Sequence, residues 1–462
     1  MSEDKIYVAS TTLPVSVADA FAYHDRRGAL ERLIPPWESA HIESSDQSLE
    51  VGSRVVLKTK IAGVPLRWVA EHTHYDPPTL FADTQISGPF AKWNHRHHFI
   101  QAGDESSLIK DEIQYRLPGG SLGRLFGGSM AQRTIESMFS YRHQVTRDDL
   151  QLFNQYPTSP LTVAISGASG LVGAQLSALL SLLGHRTLRI VRNPTNDSSD
   201  IAVWSDPADV AKLEDVDAVI HLAGKPIADD RWTDDVKQQI RDSRVIKTRE
   251  LCESLAKLHR KPKVLICASA TGIYGNRGDE ILDENSAAGG DFLADVAREW
   301  EDACQGARDA GIRVVNTRFG IVLTPRGGAL QKMLLPAKLA GGSLGNGQQW
   351  WSWIALDDVL GAIYHCIQDD SISGAVNFVA PEPIRNRDFA KTLGRVLGRP
   401  ALLPAPAFGL RLALGEMADA LLLASTRAVP QKLLQSTYKY RFDDLESALR
   451  YYLGRNRLES SQ

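Results

Sequence analysis

The chain has 462 residues, of which 43% are hydrophobic and 23% are charged, and its net charge is −3. This length predicts two or three domains, and the near-neutral charge gives no reason to expect nucleic acid or an anionic membrane as a partner. The four cysteines form no CxxC pair, and the chain has neither an 18-residue apolar run nor a signal-peptide core at its start. These features predict a cytoplasmic protein with reduced thiols and without a membrane span.

Residues 1–153 carry mainly the alternating apolar pattern of strands. The alternation predicts strands at 5–11, 54–60 and 108–117, and helical spacing predicts helices at 16–33 and 129–152. A short helix pair, an antiparallel sheet and a long C-terminal helix make an α+β helix-grip arrangement, and this part of the chain resembles the START-like (SRPBCC) superfamily. The resemblance implies a cavity between sheet and helix that binds a small, hydrophobic ligand.

Residues 154–160 are polar, contain two prolines and predict a linker before a second domain at 161–462. The pattern then alternates between strand and helix, which predicts an α/β Rossmann fold with a doubly wound parallel sheet. The predicted strands are 161–166, 187–191, 218–222, 264–268 and 314–318, and the predicted helices are 173–183, 234–258 and 292–310. From about residue 381 the chain is rich in helix and predicts a C-terminal lobe.

A glycine-rich loop lies between the first of these strands and its helix. Gly167 permits a tight turn, Gly170 lets the backbone approach a pyrophosphate, and Gly173 lets the helix pack close to the strand. The helix N-terminus then faces the phosphate charge. We therefore predict that the loop binds a dinucleotide, through Gly167, Ser169, Gly170, Leu171, Val172 and Gly173.

Arg192 follows the next predicted strand, where an enzyme that uses NAD usually has an acidic residue for the ribose hydroxyl. A guanidinium suits a 2′-phosphate, so Arg192 favours NADP over NAD as cofactor. The alternative interpretation is that Arg192 is only a solvated charge in a loop. Leu222 ends the predicted strand at 218–222, and the small residues Ala223 and Gly224 follow it.

A series of motifs resembles the atypical, epimerase-like subgroup of the extended short-chain dehydrogenases. They include residues 217–224, 268–275, 327–330, 345–348 and 403–453. The resemblance covers about 300 residues and implies cofactor contacts for the glycine loop, for Leu222–Gly224 and for Arg244. The alternative interpretation of Arg244 is a charge on the surface of a helix. Fusion to a START-like domain is a known arrangement of the subgroup.

The chain departs from the short-chain dehydrogenase pattern at the proton-transfer residues. Phe292 and Val296 stand where the family has tyrosine and lysine, and phenylalanine cannot transfer a proton. Substitute catalytic candidates are Ser269, Thr271 and Tyr274. The structural alternatives are that Ser269 and Thr271 satisfy backbone groups of a turn and that Tyr274 packs in the core.

These observations predict an NADP(H)-binding oxidoreductase or epimerase-like enzyme of atypical mechanism, acting on a small molecule. There are two alternatives: a non-catalytic NADP(H)-responsive sensor or ligand carrier, and a conventional nucleotide-sugar epimerase or dehydratase.

His95 and His97 share one face of a predicted strand, but the spacing specifies no third ligand, so we predict half-exposed histidines and no metal site. The sequence leaves the oligomeric state open.

Overall fold

The computed structural model describes residues 4–61, 63–193, 200–204 and 207–456. These residues form two compact units. The first comprises described residues within Met1–Ser159, Ala178–Gly184 and Tyr451–Gln462, and the second those within Pro160–Ser177 and His185–Arg450. In the described ranges no helix has the length and apolar character needed to cross a membrane.

The first unit contains a seven-stranded antiparallel sheet and a long helix. The elements are β1 (Lys5–Leu13), α1 (Val17–Asp25), α2 (Ala29–Leu33), β2 (His41–Ser45), β3 (Arg54–Ile61), β4 (Val64–Asp76), β5 (Leu80–Ser87), β6 (Lys92–Gly103), β7 (Ser106–Arg116) and α3 (Gly120–Gln155). The strand order is β1-β7-β6-β5-β4-β3-β2. This arrangement confirms the predicted helix-grip fold.

Two details of this unit follow from local sequence. The sequence predicts a short helix pair within 16–33, and Gly28, with φ +99°, separates its two helices, α1 and α2. The Oγ atom of Ser16 accepts a hydrogen bond from the Asp19 amide at 3.1 Å and caps α1. Aromatic rings of Phe21, Phe81 and Phe99 pack in the core of the unit.

After Pro160 the chain alternates between short strands and helices. The strands are β8 (Thr162–Ser166), β9 (Arg186–Ile190), β10 (Asp200–Ile201), β11 (Ala218–His221), β12 (Val264–Ala270), β13 (Ile281–Leu282), β14 (Arg313–Phe319), β15 (Ile321–Leu323), β16 (Gly341–Leu344), β17 (Trp350–Trp351), β18 (Trp353–Ala355), β19 (Gly374–Phe378), β20 (Ile384–Arg385), β21 (Leu403–Ala405) and β22 (Arg427–Ala428). The helices are α4 (Leu171–Leu182), α5 (Asp234–Ala256), α6 (Phe292–Asp302), α7 (Gln305–Asp309), α8 (Gly328–Lys338), α9 (Leu356–Gln368), α10 (Asn386–Leu397), α11 (Ala407–Leu414), α12 (Gln431–Gln435) and α13 (Leu445–Tyr452).

Seven of these strands form one parallel sheet in the order β10-β9-β8-β11-β12-β14-β19. The chain moves outward from β8 in one direction and, from β11, in the other, which is the doubly wound order of the Rossmann fold. The predicted fold is therefore confirmed. The central strands are buried on both faces, as parallel strands covered by helices are: Val163, Ala164, Ile165, Val219 and Leu265 are all fully buried.

Candidate functional site

The sheet of the second unit has its topological switch point between β8 and β11. Ser166 pairs with His221 in the parallel register, so both strands end at the same level. Because their connections lead to opposite sides, a crevice is expected beyond their carboxyl ends, and ligands of open α/β sheets bind in such crevices. The glycine loop follows β8, and Leu222–Gly224 follow β11.

Close backbone approach explains the glycines of the loop. Gly167 adopts φ +73°, and a Cβ there would lie 3.0 Å from the Ala223 nitrogen and from the Leu222 carbonyl carbon. A Cβ on Gly173 would lie 2.2 Å from the Gly167 oxygen, which no side chain can do. Ser169 and Gly170 are exposed, and Leu171 and Val172 are partly buried at the start of α4. The loop therefore presents backbone at the crevice.

Arg244 lies beside the other half of the crevice. Its guanidinium carbon would be 3.4 Å from a Cβ on Gly224 and stands 5.1 Å from the centroid of the Trp300 ring. Nη1 donates to the Ile240 carbonyl at 3.1 Å. Burial lowers the pKa of Arg244 to about 10, so the group stays charged at neutral pH. No carboxylate of the described residues pairs with this cation.

A buried hydrogen-bond network, to which the sequence patterns gave no role, lies beneath the crevice. The hydroxyl of Ser166 is 2.5 Å from His221 Nδ1, and His221 Nε2 is 3.0 Å from the Thr248 hydroxyl. The Trp300 indole N–H donates to Thr248 at 2.9 Å, and the Ala223 amide donates to Ser166 at 3.4 Å. The network thus joins the end of β8 to the residues after β11. Burial lowers the pKa of His221 to about 4, so its ring is neutral at neutral pH.

Arg192 lies two residues beyond the end of β9, the neighbour of β8 in the sheet, and is exposed. It therefore stands at the same edge of the sheet as the glycine loop. An exposed guanidinium at this edge is free to meet a phosphate group or solvent.

Ser269 and Tyr274 lie within a buried polar network after β12. Ser269 Oγ donates to Glu301 Oε1 at 2.7 Å, and Arg318 binds the same carboxylate through Nε and Nη2 at 2.8 and 2.9 Å. Arg318 Nη1 also donates to the Tyr274 hydroxyl at 2.9 Å. Tyr274 is fully buried, and burial raises its pKa to about 12. In this structure its hydroxyl is thus held in the interior as a phenol.

Thr271 is the most accessible of the three catalytic candidates, being partly buried at the start of a short 3₁₀ turn. Its hydroxyl donates to the Phe319 carbonyl at 3.3 Å.

Phe292 begins α6 and packs edge-on against Trp232, with ring centroids 5.3 Å apart. The Lys237 ammonium lies 5.0 Å from the centroid of the Phe292 ring and also pairs with Glu416. Sequence spacing could not place Lys237 here, because it comes from α5.

A separate cavity of about 580 Å³ lies elsewhere in the second unit. Its lining includes Asp279, Gln349, Arg385 and Arg411. Arg385 pairs with Asp279 at 2.9 Å and lies 4.4 Å from the centroid of the Trp350 ring. The size suits a small molecule, and the lining suits a polar one.

His95 and His97 differ from their prediction. They were expected to be half exposed, but their side chains are buried, with 3% and 9% of each residue exposed. The reason is tertiary: β6 is an inner strand of the first sheet, so its inward side chains lie in the interior. Both contact the buried carboxylate of Asp111, at 2.9 Å from His95 Nε2 and 2.6 Å from His97 Nδ1.

Comparison with known proteins gives matches to three family models. The model described as NAD dependent epimerase/dehydratase family matches residues 163–378. An epimerase family protein of Mycobacterium bovis is 40% identical over 294 residues, which are 63% of this chain and 96% of that protein. The chain belongs to the epimerase family. The family's matched region contains both halves of the crevice, the glycine loop and Leu222–Gly224.

The other two models match the flanking regions. Polyketide cyclase / dehydrase and lipid transport matches residues 13–139, and a domain of unknown function, DUF1731, matches 405–451. The recognised combination of a START-like domain with an epimerase-like domain is therefore confirmed.

Two solved structures resemble this member of the family. A nucleoside-diphosphate sugar epimerase from Corynebacterium glutamicum is 34% identical, with a TM-score of 0.80, and the match covers 98% of this chain and 91% of that one. Human epimerase family protein SDR39U1, solved with NADPH, is 30% identical with a TM-score of 0.60, and the match covers 63% of this chain and 99% of that one.

Proposed function

We propose that the second unit binds NADP(H) in the crevice beyond β8 and β11 and runs an oxidoreductase or epimerase-like reaction of atypical mechanism. The observation that carries the proposal is the charged, partly buried Arg244, which has no carboxylate partner among the described residues and lies against Gly224. Partial burial of a cation without an anion costs solvation free energy, and a phosphate group of a dinucleotide would supply the missing charge.

The fit of a dinucleotide rests on the backbone as well as on charge. Between the end of β8 and the start of α4 the loop has only the small residues Gly167, Ala168, Ser169 and Gly170, so amides at this helix N-terminus can approach a pyrophosphate. Leu222, Ala223 and Gly224 would face the rest of the cofactor from β11. Membership of a family described as NAD dependent supports the same assignment.

Arg192 supports NADP rather than NAD. It stands exposed beyond β9, where the 2′ substituent of an adenosine ribose is recognised in Rossmann folds. A guanidinium there would pair with the 2′-phosphate through charge-assisted hydrogen bonds. The NADPH in the structure of the human relative agrees with this choice.

Catalysis would depend on residues other than a tyrosine and lysine pair. When bound, the nicotinamide supplies hydride transfer. Of the three hydroxyls after β12, that of Thr271 is the most accessible, and it would turn from the Phe319 carbonyl to donate to a substrate oxygen. Ser269 and Tyr274 would hold the loop through Glu301 and Arg318, since their hydroxyls are already engaged in the interior.

A second candidate function is a non-catalytic NADP(H)-responsive sensor or ligand carrier. The observation that favours it is the absence of a titratable group at Phe292 together with the raised pKa of the buried Tyr274. The first unit would then bind a small, hydrophobic molecule, as the lipid-transport description of its family model supports. We also propose a cytoplasmic location, where the four free cysteines would stay reduced.

Titration of the full-length protein with NADPH and NADH tests the cofactor site. We expect Arg192→Ala to weaken NADPH binding by roughly 10-fold to 100-fold and to leave NADH binding unchanged, because a hydrogen bond to a charged group contributes about 1.5–3 kcal/mol. Arg244→Gln should weaken both nucleotides. Arg241→Gln is the matched control on α5, since Arg241 is exposed and pairs with Glu299 at 2.7 Å.

Failure of both nucleotides to bind the wild-type protein would refute the proposal. If NADPH binds, its oxidation in a screen of carbonyl compounds distinguishes the two candidates. Consumption of NADPH that falls in Thr271→Val supports the enzyme, and binding without any turnover supports the sensor.

A further inference from the structure

A row of histidine and aspartate side chains crosses the inner face of the first unit's sheet. In the antiparallel register His72 on β4 stands opposite Asp83 on β5, and Asp83 stands opposite His95 on β6. Two residues further along the same face, His97 stands opposite Asp111 on β7. Because i and i+2 share a face, the five side chains form one contiguous cluster.

Three members of this cluster present metal-binding atoms to one another. One ligand atom from each of Asp83, His95 and His97 lies within 4.8 Å of the other two. His95 Nδ1 is 3.4 Å from Asp83 Oδ2. Ligand atoms about 2.0–2.2 Å from a tetrahedral zinc ion are separated by roughly 3.4 Å, so this pair already has the spacing of two zinc ligands.

Asp111 provides the support that metal-bound histidines usually have. Its carboxylate lies 2.9 Å from His95 Nε2, on the side of the ring opposite Asp83. It also lies 2.5 Å from His143 Nε2 on α3. A carboxylate on the second ring nitrogen fixes the orientation of a ligating imidazole and increases its basicity. The His97 ring is held by stacking on Phe81, with centroids 4.0 Å apart.

An unpartnered nitrogen atom beside the three ligands is the independent observation. His72 Nδ1 is buried and has no hydrogen-bond partner in the described part of the chain. His97 Nδ1 contacts Asp111 Oδ1 at 2.6 Å, so Asp111 holds the His97 ring as it holds the His95 ring. Buried polar atoms are normally satisfied, and an imidazole lone pair can be satisfied by a metal ion.

We propose that Asp83, His95 and His97 bind a divalent ion of the first transition series, of the zinc class, inside the first unit. Two imidazoles and one carboxylate suit such an ion rather than calcium or magnesium, which prefer oxygen ligands. The ion would also offset the charge of two carboxylates in the interior. This site is independent of the proposed nucleotide function, which belongs to the second unit.

The test uses the full-length protein after treatment with EDTA and dialysis into metal-free buffer. Titration with Co²⁺ reports coordination by its visible absorption, and Zn²⁺ then displaces it. We expect one equivalent per chain in the wild type and a loss of affinity of at least 10-fold in Asp83→Asn and His97→Gln. His98→Gln is the matched control, because His98 follows His97 in β6 and points to the opposite face.

Each outcome decides the proposal. Absence of Co²⁺ absorption in the wild type, or equal binding by His97→Gln and His98→Gln, overturns it. If Asp83→Asn and His97→Gln fail to fold, the thermal unfolding midpoint of the wild-type protein is measured instead. A midpoint that rises with Zn²⁺ but not with Mg²⁺, and falls back with EDTA, supports the site. A midpoint that Zn²⁺ leaves unchanged overturns the proposal.

Discussion

The role of a residue in the second unit depends on its burial and on its contacts in the fold, which its neighbours in the sequence do not reveal. His221 ends β11 and lies within residues 217–224, one of the motifs that carry the family resemblance. In the structure it is fully buried and connects Ser166 to Thr248. A neutral imidazole has one N–H and one lone pair, so it can bridge two hydroxyl groups without carrying charge into the core.

The neutral state of His221 predicts a dependence of stability on pH. Its folded pKa, about 4, lies below the unfolded value of 6.5, so the unfolded chain takes up the proton first as pH falls. The stabilisation is complete above about pH 6.5 and is lost towards pH 4, amounting to about 3 kcal/mol at about 1.4 kcal/mol per unit. Urea unfolding at pH 7 and at about pH 4.5 measures this loss.

The variant His221→Gln should lower stability at pH 7 and reduce the difference between the two pH values. His259→Gln, at an exposed position, is the control and should keep the wild-type difference. An unchanged difference in His221→Gln would show that other groups account for the pH dependence.

At the scale of elements, the glycine loop and α4 were the most predictable part of the chain. Each glycine has a steric reason that holds in any strand-loop-helix of this kind, so the sequence predicted the loop and the strand before it to within a residue. The point at which one helix ends and the next begins was less predictable. The predicted helix at 292–310 is two helices, α6 and α7, separated at Ala303 and Cys304.

The close packing of Gly173 gives a prediction at this scale. Gly173→Ala should lower the thermal midpoint and abolish NADPH binding, because its Cβ would lie 2.2 Å from the Gly167 oxygen and the loop must move. Gly409→Ala in α11 is the control, since its nearest neighbour would be 3.6 Å away. There alanine should be neutral or stabilise by up to about 1 kcal/mol. Differential scanning calorimetry and the nucleotide titration measure both effects.

Equal midpoints for the two variants would mean that the backbone of the loop adapts to a methyl group. The strict packing between the loop and α4 would then not be the reason for glycine at this position.

At the scale of the whole molecule, all four cysteines belong to the second unit and all are buried. They are Cys252, Cys267, Cys304 and Cys366. A disulfide reagent such as DTNB can therefore reach them only when this unit opens. Their labelling rate reports the stability of the second unit without a signal from the first.

We expect slow labelling of the native protein and four reactive thiols after denaturation. Saturating NADPH should slow the labelling, since a ligand at 100 times its Kd stabilises the folded state by about 2.7 kcal/mol. Zn²⁺ at the proposed site of the first unit should leave the rate unchanged. Rapid labelling of one thiol in the native state would contradict the buried placement.

The sequence by itself determined the two fold classes and the position of the glycine loop, because these depend on local periodicity and on glycine sterics. Tertiary structure decided the rest. Lys237 meets Phe292 from another helix, and Ser269 meets Glu301 across the interior. His95 and His97 lie with Asp83 and Asp111 only because three strands pair in one register. Contacts between residues far apart in the chain leave no periodic signal in a single sequence, so the burial of these histidines could not be read from it.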